Sequence, residues 1–242
     1  MLQYDLVVAN ARLRGADVPR WVACRGAHIA EVSDSPLHGE HEIDADGGLL
    51  TESFVNAHMH LDKVFTLDHA GDAALQAYTS PAMRDSATAI GIASAVKDSY
   101  DEASVEARAR RALTAAVTPG VRHVLAFSDV DTRAELKGIR PMLRLRDEWR
   151  GVVDLQVVAF PQEGLLRDPG AGELVEEAVR LGADVVGGIP WLEDTESEQR
   201  EHIRLMCSLA ARYGRKVAML VDDTRDPSLH TTAMLAEAML EH

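Results

Sequence analysis

The chain has 242 residues, enough for one large domain or two small ones at roughly 100–200 residues per domain. Hydrophobic residues make up 46% and charged residues 26%, a globular balance that excludes disordered and collagen-like classes. Lys and Arg number 25 against 39 Asp and Glu, and the resulting formal charge of −14 argues against nucleic acid and anionic membrane surfaces as partners.

Residues 1–52 read as a small β unit. Tyr4–Asn10 is a strand ending in a turn former, and residues 21–24 and 28–32 flank a hairpin connection at Arg25-Gly26-Ala27. Residues 41–45 form a further strand running into Asp46-Gly47-Gly48, and no helical period interrupts the stretch. From residue 53 to 242 the pattern becomes strand, then helix, repeated. Strands are expected at 54–58, 121–127, 152–160, 184–190 and 217–221. Helices are expected at 87–117, 133–149, 172–181, 196–213 and 227–240, with Gly182 and Gly214 as stops. Near-continuous apolar strands alternating with helices indicate an α/β fold with a parallel, helix-covered sheet.

The apolar runs fall well short of the roughly 18 residues of a membrane span. The start, MLQYDLVVAN, has an Asp within its apolar stretch and lacks the basic opening of a signal peptide. Cys24 and Cys207 lie far apart and suggest no disulfide framework, so a cytoplasmic protein is expected.

Polar residues gather just beyond each strand: His58 and His60, Asp129 and Asp131, Gln162 and Glu163, Trp191, then Asp222 and Asp223. In parallel α/β folds that end is where ligands bind. The strongest chemical feature is His58-Met59-His60. Residues two apart on a strand share a face, so the two imidazoles point together and suit Zn²⁺ or Fe²⁺. Asp62 could orient one of them through its second ring nitrogen. The plain alternative is a pair of satisfied rim histidines.

Phe54-Val55-Asn56-Ala57-His58-Met59-His60-Leu61-Asp62-Lys63 resembles the first-strand motif of the amidohydrolase superfamily. Val157–Gly164 and Leu181–Pro190 resemble its cytosine-deaminase-like branch, which includes triazine-ring amidohydrolases such as the isopropylammelide enzyme. The resemblance implies a (β/α)8 TIM-type barrel with an N-terminal β-sandwich segment. It also implies a divalent metal, Zn or Fe, that activates water to hydrolyse a C–N bond of a small nitrogen heterocycle such as cytosine or an aminotriazine. Carried over by position, it makes His58 and His60 metal ligands, Gln162 a substrate-binding residue and Asp223 the proton carrier. Three positions depart from the pattern. Leu220 stands where the family places a third histidine, Phe127 replaces the second-strand histidine, and Trp191 replaces the histidine that often follows Ile-Pro. Trp191 is then a stacking wall for the substrate ring or a core residue.

Bland roles are equally open elsewhere. Lys63 reads as an ion-pair partner, Glu163 as a helix cap, Asp222 as a substitute ligand or a surface carboxylate, and Cys207 as core. Arg108–Arg111 read as a solvated helix face opposed by Glu102 and Glu106, and the remaining histidines, His202 among them, show no ligand spacing. Five of eight barrel strands are visible, so the chain is expected to be the front part of a longer enzyme, with an open sheet edge that favours a homo-oligomer. The alternative function is an inactive or repurposed relative that binds a ligand or partner.

Overall fold

A computed structural model describes residues 4–66, 91, 94–224 and 226–241, which form two compact units divided between Ser53 and Phe54. Within the first unit, strands β1 (Tyr4–Ala11), β2 (Arg20–Arg25), β3 (His28–Ser33) and β4 (Gly39–Asp44) pair in the order β3-β2-β1-β4. β1–β2 and β2–β3 are antiparallel, whereas β4 joins β1 in parallel, so the sheet is mixed. The β2–β3 hairpin closes through Gly26-Ala27, with Gly26 at φ 56°, the positive φ that a two-residue hairpin loop requires. Tyr4, Val7 and Ala23 are buried together against Trp21 and Leu37 as its small core.

The second unit carries five parallel strands in sequential order: β5 (Phe54–Met59), β6 (Val121–Asp129), β7 (Asp154–Phe160), β8 (Val185–Gly188) and β9 (Lys216–Met219). Helices α1 (Glu102–Val117), α2 (Ile139–Glu148), α3 (Ala171–Arg180), α4 (Glu196–Tyr213) and α5 (Thr231–Glu241) follow the strands in alternation. This is a five-unit arc of a (β/α)8-type barrel. The period of two sorts the side chains. Val124, Ala126, Leu155, Val157 and Ala159 pack beneath the helices, and Phe127, Val158, Phe160 and Val185 form an apolar cluster on the opposite face. Gly187 lets β8 approach β7 closely, since a Cβ there would lie 2.6 Å from the Ala159 carbonyl oxygen.

Capping explains the helix starts. Asp101 accepts from Ser104 N–H at 2.9 Å to begin α1, and Thr195 accepts from Glu198 N–H at 3.2 Å to begin α4. The helix expected at 87–117 is therefore interrupted, since Gly91 and residues 94–96 are helical and α1 starts afresh at Glu102. Its described part has a 3-10 turn at Lys97–Ser99 and extended backbone at Tyr100 before the Asp101 cap, while 87–90 and 92–93 lie outside the described residues. The helix expected from 133 begins at Ile139, because the Asp131 carboxylate accepts from the N–H groups of Arg133 and Ala134 and folds that stretch into turns. His69 also lies outside the described residues.

Asp222 is not a bare carboxylate. Its oxygens accept from Thr231 N–H at 2.7 Å, Thr231 Oγ1 at 2.7 Å and Thr232 N–H at 3.1 Å, which holds the first turn of α5. Partial burial opposes ionisation there, but these hydrogen bonds prevail and bring its pKa down to about 2. Asp222→Ala is expected to cost about 0.5–2 kcal/mol, as loss of an N-terminal helix cap does. Urea unfolding at pH 7 measures the loss, and an unchanged midpoint would contradict the capping role.

Candidate functional site

The polar groups converge at the C-terminal ends of the parallel strands. His58 and His60 leave β5 on one face, with ring centroids 5.0 Å apart. The Phe127 ring lies 4.3 Å from His58 and 5.8 Å from His60, and Phe160 lies 5.7 Å from His60. His58 is exposed and His60 largely covered. Burial, joined by the Lys63 ammonium, pushes the His60 pKa down to about 3. Burial also lowers His58, against the opposing pull of the Asp223 carboxylate nearby. Both imidazoles are therefore neutral at pH 7, the form that binds metals.

Beneath them lies a buried ion network. Lys63 Nζ contacts both Asp129 carboxylate oxygens at 2.7 Å and donates to Gln162 Oε1 at 2.7 Å. Lys97, 1% exposed, places Nζ 3.0 Å from Asp129, 2.6 Å from Asp131 and 2.6 Å from Glu163. Glu163 is thus a lysine partner rather than a helix cap. Burial opposes the charge on Asp129, but Lys63 and then Lys97 outweigh it and hold its pKa low. For Lys97, burial opposes the charge and Asp129 and Asp131 outweigh it, so its pKa is raised.

Asp62 is fully buried. Its Oδ2 accepts from Tyr100 Oη–H at 3.1 Å and from Asp129 N–H at 3.0 Å, while Oδ1 has no partner among the described residues. Asp62 thus bonds neither imidazole, and burial together with the Asp129 carboxylate pushes its pKa up. One donor atom each from His60, Asp62 and Asp129 fall within 4.8 Å of one another, a group able to hold a metal ion. His60 Nδ1 is likewise buried without a hydrogen-bond partner among the described residues, 3.8 Å from Asp129 Oδ1. His58 stands beside this group rather than in it.

The structure brings His58, His60, Gln162 and Asp223 to this rim. Trp191 joins Phe127, Phe160 and Ile189 in the apolar cluster, 9% exposed, and Leu220 packs against the same cluster. Gln162 is buried, and Asp223 is exposed. Arg108 is more than a solvated side chain, since it donates to the backbone oxygens of Val64 and Asp62 beneath the site. Sequence reasoning missed Lys97 and the pair Glu193–His202, because nothing in their spacing marks them.

A wide cleft of about 700 Å³ lies at the opposite end of the strands, lined by Arg122, Arg146, Asp154, Arg215 and Lys216 among others. Arg146 lies in the last turn of α2, and Arg215 and Lys216 follow the end of α4, where helix dipoles favour positive charge, while Arg146 donates to the Gly182 carbonyl oxygen.

No protein-family model matches the chain. It is 28% identical over 244 residues to N-isopropylammelide isopropyl amidohydrolase of Pseudomonas sp. (strain ADP), covering 99% of this chain and 58% of the relative. Its fold matches 5-methylcytosine deaminase from Klebsiella pneumoniae liganded with 5-fluorocytosine, with TM-score 0.85, 30% identity and 96% and 55% coverage of the two chains. N-isopropylammelide isopropylaminohydrolase from Burkholderia multivorans matches with TM-score 0.70, 23% identity and 99% and 58% coverage. The chain thus spans somewhat more than half the length of these relatives.

Proposed function

We propose, from the kinship of this chain to the cytosine-deaminase-like branch of the amidohydrolase superfamily, that its strand-end rim serves hydrolysis of a C–N bond in a small nitrogen heterocycle. The observation that carries the reading is the pair His58 and His60. Two neutral imidazoles share one face, and His60 Nδ1 is buried with no hydrogen bond among the described residues.

The donor set fits a divalent cation. His60 and the unpartnered Asp62 Oδ1, which lie within reach of one ion, would hold it, with His58, whose ring stands beside that group, as a further ligand. Asp129 is less available, because Lys63 already occupies both of its oxygens. A zinc or iron(II) ion bound there supplies Lewis acidity, which makes water a nucleophile near neutral pH.

The chain's own residues divide the remaining work. Lys63 can only donate, so Gln162 must turn Oε1 toward it, leaving the amide N–H groups to meet an acceptor on the ring. Phe127 and Trp191 form the apolar wall against which the ring lies. Asp223, exposed and electrostatically close to His58, carries a proton from the attacking water to the departing amine.

Ammonia release from cytosine and from aminotriazines, measured with zinc or iron added, tests the reading. Asp223→Asn is expected to lower turnover by about 10²–10⁴-fold, the usual worth of a positioned proton carrier. Leu220 and Phe127 favour a second reading, because both positions are apolar where the resembled pattern has histidine. In that reading the protein binds a heterocycle without turning it over. Saturable binding with no ammonia release from any substrate, metal present, would decide for it.

A further inference from the structure

Two rim loops, Leu165–Arg167 after β7 and Pro190–Leu192 after β8, meet at one buried carboxylate. Glu193 Oε1 accepts from Leu165 N–H at 2.6 Å and Leu166 N–H at 3.2 Å, and Oε2 accepts from Arg167 N–H at 3.1 Å. The same Oε1 lies 2.7 Å from Nδ1 of His202, a fully buried residue of α4. The other ring nitrogen, Nε2, faces the N–H of Ile189 at 3.2 Å. A backbone N–H can only donate, so Nε2 accepts and Nδ1 carries the proton that His202 gives to Glu193. Every polar atom of the pair's side chains is thus engaged, and the pair clamps β8's exit from both sides. The clamp is tight: a Cβ on Gly188 would lie 2.9 Å from His202 Nε2.

Between the two points of attachment, Ile189 and Glu193, sits Trp191. Its ring belongs to the apolar cluster beside the histidine rim, and its indole Nε1 is buried with no partner among the described residues. No hydrogen bond to a described residue therefore fixes the indole. Its place follows from the backbone on either side and from packing.

We infer that Glu193 and His202 are positioning residues for Trp191, setting where the indole stands over the ring-binding face. The inference rests on the ring-binding reading for its purpose, but the positioning itself is measurable without ligand. Phe at 202 keeps the ring shape and loses both hydrogen bonds. Gln at 202 keeps one donor and one acceptor on a side chain able to replace them. A clamp acting through those two bonds is broken by the first and kept by the second.

The test uses the full chain labelled with 5-fluorotryptophan, its ¹⁹F resonances assigned by Trp→Phe variants. Trp21 lies in the first unit and Trp149 at the end of α2, so both serve as internal references. In His202→Phe the Trp191 resonance is expected to shift while the other two stay, and in His202→Gln it is expected to return toward the wild-type position. Titration with cytosine is expected to show binding weakened about tenfold or more in His202→Phe and restored to within about threefold in His202→Gln, in line with the loss of one or two buried hydrogen bonds. An unmoved Trp191 resonance in a folded His202→Phe overturns the inference, as does an equal shift of all three tryptophans. Should His202→Phe fail to fold, Glu193→Gln presents a donor to N–H groups that need an acceptor, and the same spectrum decides. If the wild-type Trp191 resonance ignores cytosine, the ring-binding reading fails, while the clamp stands or falls on the ligand-free spectra.

Discussion

Lys97→Met is expected to lower the unfolding free energy by about 3–5 kcal/mol at pH 7, the cost of stripping one partner from a buried ion network. The magnitude follows from what the ammonium leaves behind. Asp129, Asp131 and Glu163 all lie within 3.0 Å of Nζ, and Lys63 reaches only the first of them. Asp129 and Asp131 are fully buried, so water cannot take over the lost compensation. In the variant the crowded carboxylates regain protons more readily, so the deficit is expected to be smaller at pH 5 than at pH 7.

In the wild-type protein the charges of Lys97 and Asp129 both contribute fully between pH 5 and pH 7. Lys97 is raised, so its contribution is complete below the ordinary lysine value of 10.5 and is lost as pH rises through its folded value. Asp129 is lowered, so its contribution is present above the ordinary 3.8 and is lost as pH falls. Urea unfolding of both proteins across this range measures the difference. A deficit under about 1 kcal/mol at pH 7 would mean that the network behaves as an exposed pair does.

Much of this arrangement was legible before the fold was known. Strand-end residues follow directly from near-continuous apolar runs, and α4 spans the expected 196–213 because Thr195 and Gly214 mark its ends unambiguously. His58 and His60 share a face because strand geometry has a period of two. Lys97 was not legible. Its segment carries helical spacing, and only the tertiary approach of β6 and β7 surrounds the ammonium with carboxylates. Asp131 was read as a rim group, but its hydrogen bonds to Arg133 and Ala134 N–H also delay α2 by half a dozen residues. Such local competition between a side chain and the helix is invisible to periodicity. His202 escaped because its partners, Glu193 and Ile189, lie nine and thirteen residues back on the segment after β8, at no helical or metal-ligand spacing.

Replacing both imidazoles, His58→Ala with His60→Ala, is expected to weaken Zn²⁺ or Fe²⁺ binding by about 10²-fold or more, since both ring ligands go at once. Asp62→Asn separates the two donor sets. It removes the carboxylate charge within the His60 group but leaves both imidazoles, so a smaller loss, about tenfold, is expected if the histidines dominate. A reverse change is the sharper test. Leu220 packs against the cluster that contains Phe127, and Phe127 touches both histidine rings. Leu220→His would offer a third imidazole from the fifth parallel strand, and three nitrogen donors with one open position is the arrangement of catalytic zinc sites. Tightening of about tenfold or more is expected, measured by competition against a chelating dye. The added ring also puts a polar group into an apolar cluster, so a modest fall in stability should accompany it without metal and reverse when metal is bound. If Leu220→His neither gains affinity nor regains stability with metal, the fifth strand does not face the histidine pair closely enough to share an ion. The binding reading would then be preferred to the hydrolytic one.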